Sequence, residues 1–237
     1  MRLPRVPPRL VAAVVALAAV LAGGWLWLRD SSLVAVDRVA ITGVAGPDAG
    51  AIRSALTSAA RSMTTLDVQT DRLHTAVAPY PVVKGIAVTT SFPHQMRIRV
   101  TERVAVAVVV AAGQRSEVAA DGTLLHDAAS GTGLPAIDVA VPPGGTHLEG
   151  AALSEVRLLA AAPRSLLPRI QQAASDAVGL TALVRNGPRI EFGDGSQLRA
   201  KWAAAVAVLA EPHSAAASYI DVTVPRRPVA GGGNDQG

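Results

Sequence analysis

The hydrophobic positions of the chain follow different patterns in different regions. The first pattern is an apolar run of 19 residues without a charge, from Leu10 to Leu28. An α-helix of that length measures about 28 Å, close to the thickness of a bilayer core. The pattern therefore predicts a transmembrane helix over residues 10–28, with membrane lipid as its partner, preceded by a short tail of residues 1–9.

The charges beside this run predict its orientation. The first 29 residues contain four arginines and no acid, and Arg9 and Arg29 border the run. Positive charge stays on the cytoplasmic side, so residues 1–9 are predicted to be a cytoplasmic tail and the rest of the chain extracytoplasmic. Trp25 and Trp27 lie near the far end of the run, as is typical of interfacial aromatic residues. Together with Arg9 and Arg29 they are predicted to be membrane-interface anchors.

The alternative to an anchor is a cleaved signal peptide. Val20-Leu21-Ala22 before Gly23 resembles a small-residue cleavage site. However, the apolar run continues through Trp25 to Leu28 instead of giving way to a polar mature start. This continuity favours an uncleaved anchor.

Residues 33–102 change several times between the period of a strand and that of a helix. The β-branched residues from Leu33 to Thr42 predict a strand, and alternating apolar positions on both sides of Pro93 predict a hairpin. Between them, apolar residues recur twice at helical spacing: Ile52 and Leu56, then Leu73 and Val77. The order β-α-α-β-β predicts a small domain with two helices on a three-stranded sheet.

From residue 103 to 225 the patterns are mostly those of strands. Asp121-Gly122 and Asn186-Gly187 are typical turn pairs between strands. Helices are predicted from Gly150 to Ala162, and from residue 198 to 209, where apolar residues recur at helical spacing. The region is therefore predicted to be a mostly β domain with one or two packed helices.

The end of the chain is predicted to contain one last strand, Tyr219 to Val224, and then a flexible tail. Residues 226–237 are too rich in glycine and proline to predict packing. The predicted fold class is thus α+β: a single N-terminal transmembrane helix, a β-α-α-β-β module and a mostly β C-terminal domain.

Composition and charge mainly exclude functions. The chain is 50% hydrophobic and 17% charged, with a formal net charge of +4. The excess positive charge lies in the first 29 residues, and the remainder has 18 basic and 18 acidic residues. No basic folded surface is therefore predicted, which argues against a nucleic-acid partner. The absence of cysteine excludes disulfides, thiolate catalysis and cysteine-bound metals.

The search for catalytic chemistry gives no candidate. The histidines show no metal-binding spacing, and no nucleophile or phosphate-binding motif occurs. The carboxylate pairs Asp67/Asp71 and Glu191/Asp194 fall where helix caps and turns are expected. We therefore expect no enzyme, with no catalytic, cofactor-binding or metal-binding residues and no small-molecule substrate.

Several sequence blocks resemble a known family, and their order and spacing are more specific than any one of them. In the N-terminal half these are VDRVAITG (36–43), MTTLDVQTDRLHTAVAPYPVVKGIAV (63–88) and FPHQMRIRVTER (92–103). In the C-terminal half they are VAADGTLL (118–125), GLPAI (133–137), IEFGDGSQLRAKWAAAVAVLAE (190–211) and YIDVTVPRRPV (219–229). With the basic tail and apolar run, they make the chain resemble the FtsQ/DivIB family. It departs from the family at Ala105, where a proline is common, and in having no aromatic residue after Tyr219.

The resemblance implies a non-enzymatic scaffold protein of the bacterial divisome. Residues 33–102 would be a POTRA domain and residues 103–225 the β domain. The protein would be a single-pass protein of the cytoplasmic membrane, enriched at the division septum, where it links membrane division proteins of the FtsB and FtsL type. The implied partner-binding residues are Tyr219, Ile220, Asp221, Val222, Thr223, Val224 and Pro225.

Alternatives remain open at this point. The strand Tyr219 to Val224 either ends a sheet and accepts a partner strand, or is covered internally by the tail. The surface between the Ile52 helix and the Arg97/Arg99 strand is a second candidate docking face, but the favoured explanation is a solvated basic strand edge that discourages aggregation. A membrane-anchored POTRA-type transport or secretion component is the second functional class, and an envelope enzyme is the third.

Overall fold

The computed structural model describes residues 8–29, 31–125, 133–140, 144–177, 179–212 and 217–232. The chain forms two compact units, residues 1–102 and residues 103–237. Each unit has its own hydrophobic core. The first unit contains an N-terminal helix followed by a small α+β domain, and the described residues of the second form a large sheet and two α-helices.

The N-terminal helix α1 extends from Pro8 to Arg29 and includes the apolar run. No helix in the described part of the chain meets the length and hydropathy expected of a membrane span. Of the four predicted interface anchors, Trp25 and Trp27 are exposed. The side chains of Arg9 and Arg29 lie outside the described residues, as do residues 1–7.

The domain that follows α1 has the predicted element order. Its elements are β1 (Arg38–Thr42), α2 (Ala49–Arg61), α3 (Thr70–Val77), β2 (Val83–Ser91) and β3 (Gln95–Glu102). The sheet order is β1-β3-β2, with β3 parallel to β1 and antiparallel to β2. The central strand is therefore the last one in sequence, and β1 and β3 begin at the same end of the sheet.

The two helices cover one face of this sheet. Ile52, Leu56 and Leu73 are fully buried against Met96 and Ile98 of β3. Side chains alternate along a strand, so the exposed Arg97 and Arg99 point to the opposite face. The sheet separates the Ile52 helix from these arginines, so the two do not form a common docking face, and the exposed Arg97 and Arg99 agree with the solvated basic strand that the sequence favoured.

The start of this domain differs from the strand predicted over residues 33–42. Residues 32–34 form a 3₁₀ turn, and β1 begins only at Arg38. The loop after α2 holds the chain here: the Val36 amide donates to the Met63 carbonyl, and the Thr65 amide donates to the Val34 carbonyl. Both valines are buried by this pairing, so their β-branched pattern reflects burial and not a place in the main sheet.

In its described residues, the second unit is built on one sheet of nine strands. The strands before its first helix are β4 (Ala105–Ala111), β5 (Gln114–Ala119), β6 (Leu124–Leu125) and β7 (Ala136–Asp138). After α4 (Gly150–Ala160) come β8 (Ile170–Asp176), β9 (Gly179–Val184) and β10 (Arg189–Gly193). The last elements are α5 (Leu198–Ala210), β11 (Tyr219–Asp221) and β12 (Val229–Gly231). The sheet order is β12-β11-β10-β9-β8-β7-β4-β5-β6.

The two helices of this unit are crossover connections between parallel strands. Helix α4 connects β7 to β8, and α5 connects β10 to β11; each strand pair is parallel. Parallel neighbours require such a crossover, which places a helix against the sheet. Val156 and Leu159 of α4 and Trp202 of α5 are buried in one core. The Trp202 indole donates to the Leu158 carbonyl at 2.8 Å, so it links α5 to α4. This agrees with the predicted mostly β fold with one or two helices.

Candidate partner-binding edge

Strand β11 contains the first three of the predicted partner-binding residues. It lies parallel to β10, with Ile220 opposite Ile190, and antiparallel to β12, with Ile220 opposite Ala230. The prediction that this strand ends the sheet is therefore wrong. Its outer edge is occupied by β12, which comes from the segment predicted to be a flexible tail.

Strand β11 is also shorter than the predicted Tyr219 to Val224. The Asp221 carboxylate accepts hydrogen bonds from both the amide and the hydroxyl of Thr223, which turns the chain away from the sheet. The Val222 amide still donates to the Glu191 carbonyl at 2.9 Å. A proline at residue 222 or 223 would remove one of these hydrogen bonds within the domain. A loss of partner binding in such a variant would therefore not show that this strand is the interface.

The predicted residues divide into a buried and an exposed group. Ile220 and Val222 have no exposed surface and belong to the core around Trp202. Tyr219 and Val224 are exposed, and Pro225 lies in the turn between β11 and β12. The structure therefore assigns two of these residues to the core and leaves two apolar side chains at the surface.

Strand β12 is the outermost strand on this side of the sheet. Val229 and Ala230 are exposed, Val229 by 53%. No other strand in the described part of the chain pairs with the outer edge of β12. Its backbone groups on that side are the kind of unpaired edge that a partner strand uses.

Glycine in β12 allows the strand to approach Tyr219 closely. A Cβ atom on Gly231 would lie 2.6 Å from the Tyr219 hydroxyl oxygen, so any larger residue would collide with the ring. The Ser218 amide also donates to the Gly231 carbonyl at 2.9 Å. The glycines of the tail, which suggested flexibility, here make close packing possible.

A buried lysine that the sequence did not single out supports this part of the sheet. Lys201 of α5 is 1% exposed. Its ammonium donates to the Phe192 carbonyl at 2.8 Å, the Asp194 carbonyl at 3.0 Å and the Asp194 carboxylate at 2.5 Å. All three donors of the ammonium therefore have acceptors. The signal that could have revealed it is a lysine on the apolar side of a helix, next to Trp202.

The loop held by Lys201 contacts the partner-binding segment. Gly193 has a φ of +63°, and a Cβ atom there would lie 2.9 Å from the Thr223 methyl group. Lys201 binds the residues on both sides of this glycine. Lys201 thus fixes the loop against which the end of β11 packs.

Among the carboxyl groups of this unit whose pKa is shifted, two lie on or beside its helices. Hydrogen bonds from Lys201 and then Ser196 lower the pKa of Asp194 to about 2. Burial raises the pKa of Glu155 on α4 to about 7, and the nearby Asp138 carboxylate raises it further, although the Ser175 amide opposes this. The described residues include no group of three or more acidic or histidine side chains that could hold a metal ion. Burial and local hydrogen bonds explain both pKa shifts.

Comparison with known proteins bears on the same unit. A family model described as "Cell division protein FtsQ/DivIB, C-terminal" matches residues 107–223. The matched range includes β11 and α5 and ends before β12. A search of curated proteins finds no match to the chain.

Proposed function

Because the chain belongs to the FtsQ/DivIB family of cell division proteins through its C-terminal domain, we propose that it is a non-enzymatic scaffold of the bacterial divisome. In this role it brings membrane division proteins together at the septum. The observation that carries the proposal is the outer edge of β12, which is unpaired within the described residues and belongs to the same sheet as the strands of the matched range.

The first part of the proposal is a membrane anchor. Residues 10–28 are uncharged, and they form most of the helix Pro8–Arg29. The arginines before them favour a cytoplasmic N-terminus, with both folded units outside the cytoplasm. The Trp25 and Trp27 side chains are exposed, as expected of residues that contact the lipid interface. The domain of residues 33–102 is then the extracytoplasmic POTRA domain.

The second part of the proposal is strand addition at β12. A partner strand that pairs with Val229–Gly231 extends the nine-stranded sheet by main-chain hydrogen bonds. Exposed Tyr219, Val224 and Val229 offer apolar contacts around this edge. The partner is a division protein of the FtsB type, with FtsL in the same assembly. The residues first predicted for binding act mainly as the support of β12 and only in part as the contact surface.

The test is a pair of proline substitutions in β12, Val229→Pro and Ala230→Pro. Neighbouring N–H groups of a strand point to opposite edges, so one proline removes a donor toward β11 and the other a donor toward the partner. We expect one variant to lose thermal stability. The other should keep the wild-type Tm and lose binding of an FtsB-type ectodomain by about tenfold or more, as expected for at least one lost main-chain bond and a misaligned strand.

The matched control is Val229→Ala, which keeps the amide and should bind within a few-fold of wild type. Binding is measured with the full-length chain in detergent, beside a melting curve for every variant. If a proline variant with wild-type Tm is found and it binds as well as wild type, the interface lies elsewhere. Equal loss in Val229→Ala would instead show that side-chain contacts dominate.

A further inference from the structure

The turn between β2 and β3 exposes a large aromatic side chain. The chain has two phenylalanines: Phe192 is fully buried in the core of the second unit, whereas Phe92 is 70% exposed in this turn. A single exposed hydrophobic residue is ordinary in itself. Phe92 is of interest because of its position in the domain.

The pairing of the sheet places this turn where the chain enters the domain. Ser91 at the end of β2 and Arg38 at the start of β1 both lie opposite Gln95, the first residue of β3. The turn and the start of β1 are therefore at the same end of the sheet. We call residues 33–38 and 91–95 together the entry end.

Hydrogen bonds fix the turn to the entering chain. The amides of Asp37 and Arg38 both donate to the His94 carbonyl at 3.1 Å. The Thr65 hydroxyl donates to the Pro93 carbonyl at 2.8 Å, and the His94 ring lies 3.0 Å from the Ala35 carbonyl oxygen. Phe92 is thus presented from a supported turn and not from a free loop.

The chain between α1 and the entry end is short. Leu33, which is 60% exposed, follows Arg29 by four residues, and Ala35 follows it by six. Even a fully extended chain covers only about 3.5 Å per residue, so Ala35 lies within about 20 Å of the end of α1. If α1 is embedded in a bilayer, the entry end must stay close to the lipid headgroups.

We infer that the entry end is a second membrane contact, in which Phe92 and Leu33 enter the interfacial layer of the extracytoplasmic leaflet. Aromatic and aliphatic side chains gain free energy by burying apolar surface at this depth. The charged groups at this end have mixed sign: Arg38 lies beside Asp37, whose carboxylate is 3.8 Å from the His94 ring. The contact therefore depends on apolar insertion, and it does not require anionic lipid. It rests on the membrane anchor proposed above, and together the two attachments restrict the tilt of the domain.

The absence of cysteine allows a direct test on the full-length chain. Phe92→Cys and Leu33→Cys each create the only thiol of the chain, to which an environment-sensitive dye is attached. Lys84→Cys is the matched control, because Lys84 is exposed near the start of β2, at the opposite end of the same sheet. The labelled proteins are reconstituted into phosphatidylcholine vesicles, with and without phosphatidylglycerol.

Two measurements on the same sample separate the anchor from the second contact. Flotation, together with quenching of Trp25 and Trp27 by brominated lipid, reports the anchor; the third tryptophan, Trp202, is buried. Access of iodide to the dye reports the entry end. We expect the dyes at residues 92 and 33 to lose iodide quenching severalfold in both lipid mixtures, while the dye at residue 84 remains fully accessible.

Each other result overturns the inference in a recognisable way. A chain that floats with quenched Trp25 and Trp27, but whose dyes at residues 92 and 33 are as accessible as the dye at 84, has the anchor without the second contact. A chain that does not float refutes the anchor, and the second contact with it. Protection that appears only with phosphatidylglycerol would show electrostatic adsorption in place of apolar insertion.

Discussion

The buried ammonium of Lys201 offers the sharpest test of how the partner-binding edge is supported. We expect Lys201→Met to fold but to be clearly less stable than wild type. Methionine fills a similar volume with an apolar side chain, so the packing around Trp202 changes little. The substitution removes the donor from the carbonyl groups of Phe192 and Asp194.

The magnitude follows from which groups lose their partner. A buried carbonyl left without a donor costs about 1–3 kcal/mol, and two carbonyl groups are affected, one fully buried and one partly buried. The carboxylate of Asp194 is 72% exposed and returns to water. We therefore expect a loss of about 2–4 kcal/mol, which corresponds to a fall in Tm of about 10 °C.

The matched control is Asp194→Asn, which leaves the lysine and both carbonyl bonds in place. Its fall in Tm should be much smaller, because the Asp194 side chain is 72% exposed and the asparagine amide oxygen can accept the same hydrogen bond from the lysine. Melting curves and denaturant titrations of the full-length variants measure both. The reasoning fails if Lys201→Met melts within about 1 °C of wild type, or if Asp194→Asn lowers the Tm as much as Lys201→Met does. Either result would show that the hydrogen bonds from Lys201 to the two carbonyl groups do not supply this stability.

The same pair makes a second, independent prediction in acid. Because the pKa of Asp194 is lowered to about 2 in the folded state, its contribution to stability is present above about pH 4 and is lost as the pH falls through 2. In Lys201→Met the pKa should return part of the way toward 3.8, because the hydrogen bonds from Ser196 remain, and the acid-dependent contribution to stability should become smaller. A carboxyl titration that is unchanged by the substitution would contradict the assigned contact.

Two further predictions concern other parts of the fold. The pKa of Glu155 is raised to about 7 in the folded state, so stability should fall as the pH rises from about 4.5 to 7, by about 3 kcal/mol in total. Glu155→Gln should remove that dependence and be more stable at pH 8; denaturant titrations at pH 5 and pH 8 that differ equally in both proteins would contradict this. In the first domain, Gly43 (φ +83°) and Gly46 (φ +79°) have similar backbones, but a Cβ atom on Gly43 would lie 2.1 Å from a carbonyl oxygen of β3, whereas Gly46 has no atom within 4 Å. Gly46→Ala should cost only the backbone strain of about 1–2 kcal/mol, and Gly43→Ala clearly more; equal losses in thermal melts would refute the clash.

Sequence patterns predicted the elements whose periodicity is long and regular. Helix α5 follows from the spacing of Leu198, Trp202 and Leu209, and the turn before β10 follows from Asn186-Gly187. These signals are local: Trp202 is buried and Leu198 and Leu209 are partly buried, although Val206, which continues the same spacing, is 39% exposed. The mostly β character of residues 103–225 follows in the same way from repeated short strands.

The features that sequence patterns missed depend on distant partners. Strand β12 has three residues, and its pairing with β11 becomes evident only when Gly231 is placed against the Tyr219 ring. From the sequence alone, Lys201 is expected at the surface. Its burial is explained only by the Phe192 carbonyl, which lies next to α5 and accepts its hydrogen bond. Such contacts combine residues from two elements, and neither element carries the signal alone.

The position of β7 in the sheet has a consequence for how the second unit folds. Strands β4, β5 and β6 are consecutive antiparallel neighbours, and so are β8, β9 and β10. Each meander can therefore form by closing only short loops. The three residues of β7 instead pair in parallel with one strand of each meander, so β7 can pair fully only after both meanders have formed. The slowest folding step of the unit should accordingly be the insertion of β7, with Ile137 at its centre, between the two meanders. Backbone amides in both meanders should therefore become protected from hydrogen exchange before those of β7.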